Sequence, residues 1–378
     1  MKLTIKHYIV LGLFFATMLT SLWPNNIYLL FSFSLSSLFL LRLKVDRVSI
    51  SLLLFSCFYC INQCLTIGFG SGFVFVSTLL APFSFYNFGC WLMGWIKDDR
   101  QRLNFLFLTF LCYLLPALAL AIQDMMIVGL INESRHLLLD IGKEDTTLAA
   151  TLYGLMSSTG IGFVAILFSS KMKIWKKLLL FFICIIAVLI VIHLVNRTGL
   201  VLLALCILFS FAYSTRLNMS RIIITSFLLL IIFFIIVYSG LISQDVIDAY
   251  VMREDSASSN ASEFGGRMVL WEDALSNIFT HPFGWKRLNY AHNLWIDLAA
   301  VGGWISLFFF MKATFASIKG FFKVMYQHVT PFKLILLTMY LSMMFNSMVE
   351  PVIEGSLLFF VLFIFIWGII ISISKKVE

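Results

Sequence analysis

Residues 171–216 read KMKIWKKLLLFFICIIAVLIVIHLVNRTGLVLLALCILFSFAYSTR. Two apolar runs, 178–195 and 198–214, meet at one polar knot, NRTG, and their far ends carry Lys or Arg. A helix needs about 20 apolar residues to cross the hydrocarbon of a bilayer. The stretch therefore predicts two consecutive membrane spans, with basic flanks on one side of the bilayer and Arg197 on the other.

The pattern extends in both directions. Of 378 residues, 61% are hydrophobic and only 12% charged, against about 25% charged in a soluble domain. Twelve spans are expected, near 8–23, 27–41, 48–68, 72–96, 104–122, 148–170, 178–195, 198–214, 222–242, 293–311, 333–349 and 356–374. The first apolar run ends SLWPNN without a small-residue cleavage site, so it reads as an uncleaved span. With the N-terminus inside, twenty of the 27 Lys and Arg fall on the cytoplasmic loops; Lys312, Lys319 and Lys323 are among them. Seven fall outside: Arg135, Lys143, Arg197, Arg253, Arg267, Lys286 and Arg287. That layout obeys the positive-inside rule and puts both termini in the cytoplasm. The net charge of +8 is thus a topology signal and not a nucleic-acid footprint. All seven Cys lie in or beside apolar runs, Cys57, Cys60 and Cys64 on one helical face, as small residues packing between helices.

Fold class and organisation follow: an all-α polytopic membrane protein, with helices one to nine in 1–242, a large outside loop in 243–291 and three more helices in 292–378. A shorter outside loop, 123–147, holds SRHLLLDIG, which reads as a short interfacial helix. In the large loop, Met268, Trp271, Leu275, Ile278 and Phe279 recur at helical spacing, a stripe suited to a helix lying on the membrane face. Pro282 and Gly284 end it.

The chemistry-bearing residues gather at the outside face. Arg197, Arg267 and His292 each sit at the expected start of a helix, where unpaired N–H groups and the positive dipole end favour anions. A guanidinium beside such an end suits phosphate, and a lipid diphosphate is the obvious di-anion. Each residue also has a plainer reading: Arg197 as a snorkelling anchor, His292 as a capping or interface residue. His193, one turn before Arg197, reads as a satisfied core histidine or as a site residue. Asp297 orients His292 only if the helix start is irregular; otherwise it faces a wet vestibule. Asn293 follows His292, and Glu350 and Glu354 flank the last outside turn of the same vestibule. The span interiors hold essentially no Lys, Arg, Asp or Glu, which favours surface chemistry over ion-coupled transport. No metal-ligand spacing such as HExxH is present.

At these residues the sequence resembles the bacterial O-antigen ligases and polymerases. NRTG is similar to their Arg-Thr/Ser-Gly signature, FGGRMVLWEDALSNIFTHPFGW to their Gly-Arg, Trp and His-Pro-Phe/Leu-Gly segment, and AHNLWIDLAAVGGWISLFFF to their His-Asn motif and Leu-rich helix. Gly-Gly-Trp-Ile stands where members often have Gly-x-x-Gly. The resemblance covers about 60 residues closely and, through topology, the whole chain. It implies a GT-C-like arrangement in the inner membrane and a metal-independent, inverting glycosyltransferase without cofactor. The substrate implied is an undecaprenyl-diphosphate-linked oligosaccharide at the periplasmic face. Arg197 and Arg267 would hold the diphosphate, and His292 would activate or orient the acceptor hydroxyl. Membrane lipids and a chain-length regulator protein are the further partners implied. Nine residues separate Pro282 from His292, and ligases often carry a longer insert there, so a polymerase is expected. A ligase acting on lipid A-core, or a lipid-linked glycan exporter, is the alternative.

Overall fold

The computed structural model describes residues 4–375 apart from 24–25, 42, 67, 69–70, 133–135, 139–146, 170–171, most of 216–243, 257–266 and 286–289. Among the described residues the chain is helical throughout, save one pair of three-residue strands. The helices are α1 (Ile5–Leu19), α2 (Asn26–Leu40), α3 (Arg47–Thr66), α4 (Gly72–Trp95) and α5 (Asp99–Val128). Then come strands β1 (His136–Leu138) and β2 (Thr147–Ala149), and α6 (Ala150–Ile161), prolonged by a 3-10 segment Gly162–Phe168. The chain continues through α7 (Ile174–His193), α8 (Arg197–Ser214), α9 (Gln244–Ser256) and α10 (Arg267–Thr280). It closes with α11 (Leu294–Met325), α12 (Pro331–Val349), α13 (Val352–Gly355) and α14 (Leu357–Ser374).

Eight of the described helices, α3, α4, α5, α7, α8, α11, α12 and α14, are long and apolar enough to cross a membrane. Shorter apolar helices are α1, α2 and Leu152–Phe168. The chain is thus built as a multi-pass membrane protein. The twelve expected spans are matched in part, because the ninth, 222–242, lies largely outside the described residues. The interfacial helix expected in SRHLLLDIG is not what forms at 136–138. There the backbone pairs antiparallel, His136 opposite Ala149 and Leu138 opposite Thr147.

The chain divides into two compact units. Residues 1–116, 269–328 and 347–378 make the first. Its centre is α14, which is apolar on every side and buries nearly every side chain, as a helix surrounded by other helices must. Small residues let the main chains of α4 and α14 approach closely. A Cβ at Gly89 would lie 2.5 Å from the Phe365 carbonyl oxygen, and one at Gly368 would collide with the Tyr86 carbonyl. Aromatic rings fill the remainder: Phe14 packs on Phe33 and Phe88 at 5.4 and 4.8 Å between centroids, and Phe55 on Phe310 at 4.9 Å.

Helix α11 is broken at Gly303, whose φ of 67° only glycine adopts readily. The turn at Pro282–Trp285 fills the break. Trp304 N–H donates to the Pro282 carbonyl at 2.8 Å, Trp285 N–H donates to the Ala300 carbonyl at 2.7 Å, and Asn62 Nδ2 of α3 donates to the Gly302 carbonyl at 2.5 Å. Backbone groups freed inside a bilayer must find such partners. The helical stretch also runs on beyond its expected span. Past Gly303 it continues to Met325, so Lys312, Lys319 and Lys323 lie on an exposed helical face and not in a loop. Lys312 thus belongs to this helix and leaves the loop tally.

Residues 117–268 and 329–346 make the second unit. The small-residue run YGLMSSTGIG of α6 is a packing face here. Gly162 approaches Met339, with a Cβ there 2.9 Å from the Met339 Cα; Ser342 Oγ donates to the Ser158 carbonyl at 2.7 Å, and Asn346 Nδ2 to the Gly154 carbonyl at 3.2 Å. Helix α5 also outruns its expected span, 104–122, and carries Asp124 in its buried end.

Candidate functional site

In the first unit, the chain approaches α11 through Ala291, His292 and Asn293. Asn293 is the N-cap: its Oδ1 accepts from the N–H groups of Trp295 and Ile296 at 3.1 and 3.3 Å, and its Nδ2 donates to the Met348 carbonyl at 3.2 Å. His292 is therefore not the cap. It lies one residue outside the helix, in the left-handed region at φ 53°. Its side chain is 32% exposed, and its Nδ1 is buried, 3.8 Å from Glu350 Oε2. Glu350 is itself buried, with 8% of its side chain exposed.

Asp297 does not face a wet vestibule as expected. It is 1% exposed. Its Oδ1 accepts from Ala291 N–H at 2.9 Å and its Oδ2 from Asn293 N–H at 3.2 Å, one oxygen on each side of His292. The reason lies in the helix start: a carboxylate in the first turn faces back toward main-chain amides that lack helical partners. Glu350, not Asp297, is the carboxylate beside the ring. Glu354 falls in α13, and its side chain lies outside the described residues.

The loop helix α10 is tied into the same place. Trp271 Nε1 donates to the Ala291 carbonyl at 2.6 Å, and Trp304 Nε1 donates to the Ile278 carbonyl at 2.6 Å. The expected membrane-facing stripe is thereby split. Leu275 and Phe279 are exposed, Trp271 is half-buried and engaged, and the buried face is marked by Ala274. Sequence reasoning missed Trp271 as part of the site; its place one turn after Arg267 was the available signal.

In the second unit, Arg197 is the first residue of α8 and Arg267 the first of α10. Both side chains are half-buried. Arg197 follows a tight turn with Val195 at φ 48°, and Asn196 caps α8, its Oδ1 accepting from Gly199 N–H at 3.3 Å. His193 closes α7 and is fully buried. One ring nitrogen, Nδ1, meets the Leu130 carbonyl at 2.8 Å, and the other, Nε2, meets Asp124 Oδ2 at 2.7 Å. Asn132 Nδ2 donates to the same carboxylate oxygen at 2.6 Å, and Asn132 N–H donates to the His193 carbonyl at 2.8 Å. A carbonyl only accepts, so Nδ1 carries a proton, and the contact with Asp124 needs a second proton between its partners. The cluster anchors the turn that leads into Arg197. Asp124 and Asn132 were not foreseen, since their link to His193 spans more than 60 residues of chain.

No family model, curated protein or solved structure matches the chain. The chemistry open to the residues is nevertheless specific. A carboxylate behind Nδ1 of a histidine holds the Nδ1–H tautomer and leaves Nε2 as a base. At 3.8 Å the pair is beyond hydrogen-bond length, and such pairs commonly tighten when substrate binds. Arginines at helix starts are anion-binding groups, planar and bidentate toward phosphate.

Proposed function

We propose that this protein is an inverting, metal-independent membrane glycosyltransferase that polymerises a lipid-linked O-antigen at the periplasmic face of a bacterial inner membrane. The observation that carries the proposal is the His292–Glu350 pair: a half-exposed imidazole with a buried carboxylate at its inner nitrogen. The resemblance in NRTG, GGR and HN supplies the substrate class.

The donor is an oligosaccharide on undecaprenyl diphosphate. Arg197 and Arg267 bind its diphosphate, and His292 Nε2 takes the proton of the acceptor hydroxyl. The acceptor oxygen bonds to the anomeric carbon as the bond from that carbon to the phosphate oxygen breaks. Undecaprenyl diphosphate departs with the bonding pair, and the anomeric centre inverts. Because a diphosphate is already a good leaving group, stabilisation of the charge that develops on it and one base suffice. A GT-C-like arrangement, cytoplasmic termini and a chain-length regulator protein as partner belong to the same proposal.

The deciding experiment is deletion in the native host, followed by electrophoresis of the lipopolysaccharide. Loss of a polymerase leaves core capped with a single repeat unit. Bare core, with long glycan stranded on its carrier, would make the protein a ligase. Purified protein that binds a lipid-diphosphate donor without turning it over would make it an exporter or binder. The short link of nine residues from Pro282 to His292 is the observation that favours the polymerase.

A further inference from the structure

We infer that Asp297 and Trp271 are positioning residues for His292, acting on its main chain and not on its ring. A non-glycine residue at positive φ persists only where its surroundings fix it. At His292, φ 53°, the surroundings include three hydrogen bonds to main-chain groups of the two flanking residues. Asp297 takes the N–H on each side, at Ala291 and Asn293, and Trp271 takes the carbonyl of Ala291. Asp297 is almost fully buried, so bulk water does not compete for these amides.

The residue types fit the task. Two donors approach one short side chain, and a carboxylate is the group that offers both oxygens as acceptors; an amide offers one and turns its NH2 toward the second donor. Trp supplies a single N–H at the end of a long, stiff ring, reaching from α10 to the segment that enters α11. Asn293 completes the frame through its bond to Met348, two residues before Glu350. Rotation about φ redirects the Cβ, so loosening this frame re-aims the imidazole away from Glu350 without altering the imidazole itself.

The inference rests on the transferase proposal only for its turnover arm. In the first arm, the solubilised full chain is treated with diethyl pyrocarbonate, and modification of each histidine is followed by mass spectrometry. Asp297→Asn raises the rate at His292 several-fold and leaves the exposed His281 as it is in the wild type. Trp271→Phe keeps the bulk of a ring, removes the indole donor, and shifts His292 in the same direction by less. Should Asp297→Asn not fold, Trp271→Phe alone decides. Unchanged modification of His292 in a natively eluting variant overturns the inference. In the second arm, Asp297→Asn lowers kcat by about 10–100-fold, the range expected of a misplaced catalytic group, while the KM for the lipid-diphosphate donor holds. Added to His292→Ala, the same change costs nothing further; an additive loss overturns the inference. A wild type that transfers no glycan, with the first arm as expected, removes the transferase proposal and leaves the positioning intact.

Discussion

Gly303→Ala tests the joint between the loop turn and the broken helix. Two costs add. An L-residue held at φ 67° and ψ −175°, a region essentially reserved for glycine, carries about 1–3 kcal/mol of strain. The new Cβ would also stand 2.6 Å from the Pro282 oxygen, 2.9 Å from Asn62 Nδ2 and 2.9 Å from the Phe283 carbonyl carbon. Two of these atoms are main chain and cannot rotate away, so an overpacking cost of about 1–3 kcal/mol applies. The sum, about 2–6 kcal/mol, is a large share of a typical folding free energy of roughly 5–15 kcal/mol. Gly94→Ala is the control. A Cβ there meets nothing within 4 Å, and alanine gains up to about 1 kcal/mol over glycine in a helix. Unfolding in detergent, followed by tryptophan fluorescence, should show Gly303→Ala clearly destabilised and Gly94→Ala at or above wild type. Glycan transfer should fall with Gly303→Ala too, since the turn it dislodges leads into His292. A Gly303→Ala protein that unfolds with the wild type would refute the account of the break.

Arg197→Ala and Arg267→Ala should each weaken donor binding by roughly 1.5–3 kcal/mol, or about 10- to 150-fold, and Arg→Lys should recover little because the planar fork is lost; wild-type binding by both Ala variants would return them to surface anchors. Single cysteines at positions 258 and 173, in a cysteine-free background, should differ in intact cells: an impermeant thiol reagent reaches the first and not the second. Labelling at 173 would invert the proposed topology. At the end of α14, burial alone would raise the Asp46 carboxyl, but bonds from Lys375 Nζ, the Ser49 amide and Tyr86 OH hold it below its ordinary 3.8. A depressed carboxylate contributes its full stability above the unfolded value and loses it as pH falls through the folded one. The stability gap between wild type and Asp46→Asn should therefore hold from pH 7 down to about pH 4 and narrow below it.

The apolar runs made the membrane architecture legible, because span length and loop charge are local properties of the chain. Thus α7 and α8 meet at Asn196 as the NRTG knot implied, and α14 begins within a residue of expectation. What escaped depends on partners distant in sequence. Trp271 looked like one member of an apolar stripe, and its function is set by a carbonyl 20 residues away. Glu350 was expected at the same vestibule, but its approach to the His292 ring is made across 58 residues, from beyond another helix. Gly302 and Gly303 read only as a departure from Gly-x-x-Gly, yet the break at Gly303 is completed by Asn62, 240 residues before Gly302. Nor does periodicity reveal that α5 and α11 outrun their apolar cores, carrying Asp124 and Lys312 along with them.

That last bond sets a schedule for biogenesis. A ribosome adding about 5–20 residues per second needs roughly 10–50 s to travel from Asn62 to Gly302. Through that interval α3 waits in the bilayer with an amide whose final acceptor has not been made. The groove on α4 that receives α14 waits longer, since Gly89 and Tyr86 meet Phe365 and Gly368 only as the last helix arrives. A nascent chain truncated before residue 357 would leave its oldest helices with their central seat open, a natural substrate for an insertase that shelters unpaired polar groups or for a protease that surveys the membrane.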